Sequence, residues 1–326
     1  MRRKSVSYAR FGYIFCIPFV LAFLIFSLYP IIFTTVLGFT DFKGVTATDW
    51  KILDEPLRNF KLILENPSFK TSLENTIIIW LMNFIPQILL ALLLTAWFTN
   101  HRHKIKGQGL FKVLFYMPNI ITAATIAILF NSLFGYPVGP VNSLLKMFGI
   151  IDESVFFQQQ PWTAKGIIAF IQFWMWYGYT MIVLVSGVLG INPELFEAAE
   201  IDGATGRQVF FYITLPNLRT ILLFTMITSM VGGLNMFDIP RMLYDGQPSD
   251  ATLTTSLFIY NQAFRGSYMY NRAAAASMIM FLIIAVLAIF VFFIMRDKDA
   301  AIQKKIEKKV KRDIKKAEQA AKGAAL

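Results

Sequence analysis

The sequence predicts an all-α integral membrane protein with about six transmembrane helices, and three observations carry that prediction. Only 16% of the 326 residues are charged, against roughly a quarter in a soluble domain, while 56% are hydrophobic. Six stretches lack Asp, Glu, Lys and Arg altogether: 11–37, 75–99, 113–134, 166–190, 220–237 and 273–295. The remaining basic residues are spread unevenly over the segments that join these stretches. Six crossings put both termini on one face, and the four segments on that face are 1–10, 100–112, 191–219 and 296–326. They hold 21 of the 31 Lys and Arg but only 9 of the 20 acids. The positive-inside rule makes that face, with both termini, cytoplasmic.

A helix rising 1.5 Å per residue needs about 20 apolar residues to cross about 30 Å of hydrocarbon. The first stretch, 11–37, follows Arg2, Arg3 and Lys4, as a signal peptide would. It is about twice the length of a signal-peptide apolar core and no small-residue cleavage site follows, so it reads as a span. Cys16, the one cysteine, lies inside it, which excludes an intramolecular disulfide. Stretches 75–99, 113–134, 166–190 and 273–295 are long enough to cross. The fifth, 220–237, is short, and its helix is expected to continue past Phe237, carrying Asp238 and Arg241 on one face. The domain plan is therefore a cytoplasmic N-terminus (1–10), a six-helix transmembrane domain (11–295) and a basic cytoplasmic tail (296–326). In the tail, Ile302, Ile306, Val310 and Ile314 recur every four residues among lysines. That pattern suits either a basic helix on the inner leaflet or a solvated tail. The +11 net charge is mostly this topology signal, and no basic aromatic groove or motif points to nucleic acid.

Segment 191–219 breaks the charge pattern, with Glu194, Glu197, Glu200 and Asp202 against Arg207 and Arg219. Asn192 is a suitable N-cap and Pro193 suits the first helical position. A helix to about Asp202 stops at Gly203, and Thr205 with Gln208 has the spacing of a capping box opening a second helix. Pro216 marks the start of the fifth span. The prediction is a helical hairpin standing off the membrane. An interfacial hairpin would favour Lys and Arg on its polar side, so the acidic face suits a cationic protein partner better.

That segment, EAAEIDGATGRQVFFYITLP from Glu197 to Pro216, resembles the EAA loop of importer-type ABC transporter permeases, in the sugar branch that includes maltose and glycerol-phosphate importers. Other strings are similar to the same branch, in order around the spans. They are Leu28-Tyr29-Pro30, Phe39-Thr40-Asp41-Phe42, Asn75-Thr76, Phe115-Tyr116-Met117-Pro118, Trp176-Tyr177-Gly178-Tyr179 and Asn235-Met236-Phe237-Asp238. The resemblance covers about residues 11–295. Two features depart from it: a single glycine in Asp245-Gly246-Gln247-Pro248, and the long lysine-rich tail.

The resemblance implies a permease subunit in a bacterial inner (plasma) membrane, surrounded by lipid and forming half of a path for a sugar, in particular an oligosaccharide. It implies an extracellular binding protein, a second permease homologous to this one, and two ATPase copies that carry ATP and Mg. The chain itself has no G-x-x-x-x-G-K-[ST] string, so it is expected to be no enzyme and to bind no cofactor, with no catalytic or metal-ligating residues. The coupling loop, 191–217, would dock on the ATPase through Glu197, Ala198, Ala199, Asp202 and Gly203. Glu197 can also be read as a solvated helix charge. Sugar sites combine aromatic faces with hydrogen-bonding groups, so Trp174, Trp176, Tyr177, Tyr179, Asn235 and Asp238 are candidates, with Arg241 orienting Asp238. The aromatics equally suit an interfacial belt, and Asp238 with Arg241 a structural ion pair. His101 and His103 lie in a basic loop without a metal-ligand pattern. An ion-coupled secondary transporter is the alternative, but it needs ionisable groups at membrane depth, which the six stretches lack.

Overall fold

A computed structural model describes residues 9–44, 49–100, 105–266, 268–296 and 310. The first eight residues, His101, His103 and all of the tail beyond Arg296 except Val310 lie outside the described residues, so the expectations for them are not addressed. Among the described residues there is no strand, only an isolated antiparallel bridge between Thr40 and Ile52.

The helices are α1 (Ala9–Phe23), α2 (Tyr29–Leu37), α3 (Arg58–Glu65), α4 (Pro67–Phe98), α5 (Gln108–Tyr116), α6 (Ala123–Leu133), α7 (Pro140–Met147), α8 (Pro161–Leu189), α9 (Pro193–Ile201), α10 (Gly206–Gln208), α11 (Leu215–Asn217), α12 (Arg219–Leu234), α13 (Asp238–Leu243), α14 (Thr255–Phe264) and α15 (Tyr270–Met295). Five helical runs are long and apolar enough to cross a membrane: Phe11–Leu37, Pro67–Phe98, Pro161–Leu189, Arg219–Leu243 and Tyr270–Met295.

The third expected span is not a straight helix. A 3-10 turn at Met117–Ile120 separates α5 from α6, and the two are bent by 91°. Pro118 lies in that turn and cannot donate to the preceding helical turn, so the helix yields there. Two other prolines act more gently. Pro30 follows a π-helical stretch, Leu24–Leu28, and Pro216 follows another, Val209–Thr214. In each case the wider turn takes up a carbonyl pattern that a proline N–H cannot complete. The fifth span also departs from expectation. α12 ends at Leu234, Phe237 sits outside helical geometry (φ −134°, ψ −53°), and α13 starts anew at Asp238.

The chain forms two compact units. The first comprises Met1–Leu81, Ala123–Ala169 and Gly233–Ile284, and the second Met82–Thr122, Phe170–Gly232 and Ala285–Leu326. In the first, Ile63, Phe69, Leu257, Phe258, Ala275 and Ala276 form the apolar centre. Buried amides clasp the loops around it. Asn59 Nδ2 donates to the carbonyls of Gly38 (2.9 Å) and Thr40 (2.8 Å), and Asn271 Nδ2 donates to Thr40 (3.2 Å). Asn75 Nδ2 donates to the carbonyls of Asp250 (2.7 Å) and Leu253 (3.1 Å), while the Thr255 N–H donates to Thr76 Oγ1 (2.9 Å). Thr40, Asn75 and Thr76 belong to the motifs named above, and here they serve as structural clasps.

In the second unit Ala91, Leu94, Phe98, Met181, Leu184 and Val185 pack together, and Gln87 Nε2 donates to Thr180 Oγ1 at 2.7 Å. The Arg219 Nε donates to the Met295 carbonyl (2.8 Å), closing an otherwise open C-terminal carbonyl of α15. Gly178 lies directly on the backbone of Phe115 and Tyr116, where a Cβ would overlap the Phe115 carbonyl. Gly232, by contrast, has open space around it. Gly178→Ala is therefore expected to destabilise the detergent-solubilised protein by about 1–3 kcal/mol or more, because backbone cannot step aside. Gly232→Ala should be neutral or stabilise by up to about 1 kcal/mol. Thermal unfolding of the two variants beside the wild type checks the contrast.

Candidate functional site

The 191–217 hairpin forms as its local signals require. Asn192 caps α9, its Oδ1 accepting from the Glu194 N–H at 3.1 Å, with Pro193 at the first helical position. α9 is closed by Asp202 as its C-cap, and Gly203 takes the left-handed conformation (φ +74°) that an L side chain resists. The Ala204 N–H then reaches back to the Ala199 carbonyl at 2.9 Å. Thr205 and Gln208 form a complete capping box: the Thr205 N–H donates to Gln208 Oε1 (2.7 Å), and the Gln208 N–H donates to Thr205 Oγ1 (3.3 Å).

The hairpin has two chemically distinct faces. Phe196, Val188 and Leu218 form its buried apolar contact, with Val209 and Ile213 beside them. Glu197, Ala198, Glu200, Asp202 and Gly203 are exposed. Ala199, one helical step from Ala198, is buried at 8% exposure. Ile201, which the sequence reading passed over, is 86% exposed at the end of α9. It lies three residues beyond Ala198 and four beyond Glu197, so the three share a helix face. An isoleucine set between Glu200 and Asp202 was the available signal. Among the described residues Glu197, Glu200 and Asp202 make no ion pair.

The other candidates separate on inspection. In the second unit Trp176 and Tyr179 are exposed and meet edge to face, with ring centroids 5.8 Å apart. Tyr177 stacks on Phe173 (5.6 Å) and tilts against Phe115 (6.1 Å). In the first unit Asn235 and Asp238 are exposed. Arg241 does not orient Asp238. Asp238 opens α13, where the N-terminal helix dipole suits its carboxylate. Arg241 instead pairs with the Asp245 carboxylate and lies over the Tyr260 ring, 5.2 Å from its centroid. Arg265 Nη2 reaches the other Asp245 oxygen at 2.6 Å. Asp238 and Arg241 do share α13 at i and i+3, and the break at Phe237 lies ahead of both; it is the Asp245 carboxylate that takes the guanidinium. No group of three or more metal-ligating side chains occurs among the described residues.

A chain with five helices long and apolar enough to cross a membrane among its described residues, joined in part by a capped acidic hairpin, is in class a multi-pass membrane protein. The chain belongs to the family of binding-protein-dependent transport system inner membrane components, whose pattern matches residues 63–298. It is 32% identical over 289 residues to the lactose transport system permease protein of Rhizobium radiobacter, covering 88% of this chain and 94% of that one. It is 30% identical over 276 residues to the arabinooligosaccharides transport system permease protein of Bacillus subtilis, covering 84% and 85%. Among solved structures it is similar to a bacterial ABC transporter involved in the import of the acidic polysaccharide alginate. The TM-score is 0.73 with 25% identity, over 89% of this chain and 96% of that one. The chain is accordingly a multi-pass inner-membrane permease of an ABC importer and not an enzyme; the ATPase is a separate subunit.

Burial pulls the Asp245 carboxyl upward, but hydrogen bonds and charge from Arg265 and Arg241 outweigh it and hold the group below its ordinary value. A depressed carboxylate contributes stability above its unfolded pKa, about 3.9, and loses it as pH falls through the folded value. Asp245→Asn should therefore lower the unfolding temperature at pH 7. The gap from wild type should narrow as pH drops below about 4, which thermal unfolding across a pH series checks.

Proposed function

We propose that this permease carries an oligosaccharide, delivered by an extracellular binding protein, and forms half of the path with a second, homologous permease driven by two ATPase copies. The sugar class rests on relatives whose names specify lactose and arabinooligosaccharide transport, and on a neighbour solved with an alginate pentasaccharide-bound periplasmic protein. Coupling runs through the hairpin, on its cytoplasmic side. The observation that carries this reading is the exposed α9 face, where Glu197 and Asp202 offer exposed carboxylates beside the apolar Ile201. Carboxylates around an apolar anchor suit a groove lined with Arg or Lys, and removing one member of a desolvated interfacial pair costs about 2–5 kcal/mol. Gly203 provides the tight turn that presents the face.

In proteoliposomes containing the whole transporter, the double variant Glu197→Lys/Gly203→Val should abolish ATP-driven uptake while still inserting into the membrane. Normal uptake by that variant would disprove the coupling role.

Asn235 and Asp238 offer hydrogen-bonding groups for sugar hydroxyls, and Trp176 and Tyr179 offer exposed aromatic faces. Asn235→Ala or Asp238→Ala should slow uptake without lowering the ATPase activity of the unliganded complex. A sugar-bound structure with both side chains against lipid would contradict the assignment.

A further inference from the structure

Between α6 and α8 the chain forms a small lobe, residues 135–156, that does not cross the membrane. Its construction is inverted relative to a soluble loop. Asn142 is buried at 1% exposure, donating from Nδ2 to the carbonyls of Val155 (3.1 Å) and Gly135 (3.3 Å) and accepting from the Val155 N–H (2.9 Å). Ser154 Oγ donates to the Pro137 carbonyl at 2.8 Å, and the Tyr136 and Phe156 rings stack at 4.8 Å. The Asn142 amide thus points inward and holds a defined shape, with Val141 and Leu145 half-buried beside it in sequence. Four large apolar side chains point outward: Leu144, Met147, Phe148 and Ile150 are all more than half exposed. Leu144, Met147 and Phe148 fall at i, i+3 and i+4, on one face of α7, and Asn142 lies on the opposite face. In water such an element would be inside out. A polar interior behind an apolar exterior is stable where the surroundings are themselves apolar.

We propose that this lobe is an in-plane membrane anchor, with the Leu144–Met147–Phe148–Ile150 face immersed at the headgroup–acyl boundary of one leaflet. That leaflet is opposite the hairpin, because α8 crosses once between the lobe and residue 191. Three features select lipid as the occupant. The lobe is bracketed by two apolar segments long enough to take part in membrane spans: Phe157, just after it, packs edge to face on Phe134, just after α6 (5.5 Å), and the Phe157 carbonyl accepts from Thr163 Oγ1 of α8 (2.6 Å). α6 itself exposes apolar side chains, Ile128 and Leu129 among them. Trp162, exposed at the start of α8 with the Lys165 ammonium 5.0 Å from its ring centroid, marks a membrane interface at that end of the same unit. Lys146, on α7 between the immersed residues, has the long apolar stem and cationic tip that reach a lipid phosphate. Asp152 and Glu153, just beyond Ile150, are exposed and remain on the aqueous side.

The test uses the assembled transporter in lipid nanodiscs, with Cys16→Ser as background and one environment-sensitive fluorophore on Met147→Cys, Phe148→Cys or Asp152→Cys. Labels at 147 and 148 should lose most of their emission when spin-labelled phospholipid is included, and should resist aqueous iodide. The label at 152 should show the reverse. Iodide quenching at 147 and 148 as strong as at 152 would place the face in water and overturn the proposal. Resistance to both quenchers would overturn it as well, by showing that a protein surface covers the face. The measurement is independent of which solute is carried and of how ATP is coupled.

Discussion

Backbone amides and carbonyls in hydrocarbon have no water to bond, so each must find its partner within the protein. This constraint decides where these helices can deviate. At Leu24–Leu28, within the first span, the helix widens rather than breaks, keeping its carbonyls engaged ahead of Pro30. At Met117–Ile120 it turns sharply but tightens into a 3-10 turn, so that hydrogen bonding persists through the bend. The break before α13 is supported from outside: the Met236 carbonyl accepts from Thr254 Oγ1 at 3.0 Å. Irregularity occurs where a second set of donors or acceptors stands ready to receive it.

The same demand explains the buried amides of the first unit. A loop packed against apolar helices exposes carbonyls that no solvent can reach, and an Asn side chain offers two N–H groups on one short stem. Asn59 and Asn75 each use that geometry to hold two carbonyls, tying α3 to the chain after α2 and α4 to the loop before α14. Motif residues such as Thr40, Asn75 and Thr76 are engaged in this work. Their recurrence in a family signature therefore says nothing by itself about contact with a solute.

What could be read from the sequence was what acts over a few residues. The caps of the hairpin, Asn192, Gly203, Thr205 and Gln208, are signals confined to one turn, and all formed. Five of the six charge-free stretches correspond to long continuous helical runs, although the fifth of these stretches carries a break near its end. The sixth was ambiguous in principle, because a run of apolar residues reads alike whether straight or bent through 91°, and Pro118 alone did not say which way the helix would yield. Longer-range facts were hidden for a physical reason. That Tyr177 faces Phe115 while Trp176 faces out depends on which neighbour fills the space beside α8. Arg241 pairs with Asp245, which Arg265 also reaches, although Asp238 lies on the same short helix. Burial of Ala199 beside exposed Ala198 likewise follows from the position of the hairpin against Leu218 and Val188.

The π-helical stretch between α10 and α11 has a consequence for comparing related chains. A π turn accommodates one residue more than the α turn it replaces, so Val209–Thr214 amounts to a local insertion absorbed without a loop. A relative with one residue fewer between Gln208 and Pro216 would be an uninterrupted α-helix there. Everything on its far side, Glu197 included, would keep about the same azimuth relative to α12, because the wider turn sweeps the same full circle with one residue more. An alignment gap of a single position in this segment would thus leave the acidic face pointing the same way, whereas the same gap in a regular α-helical stretch would turn that face by about 100°.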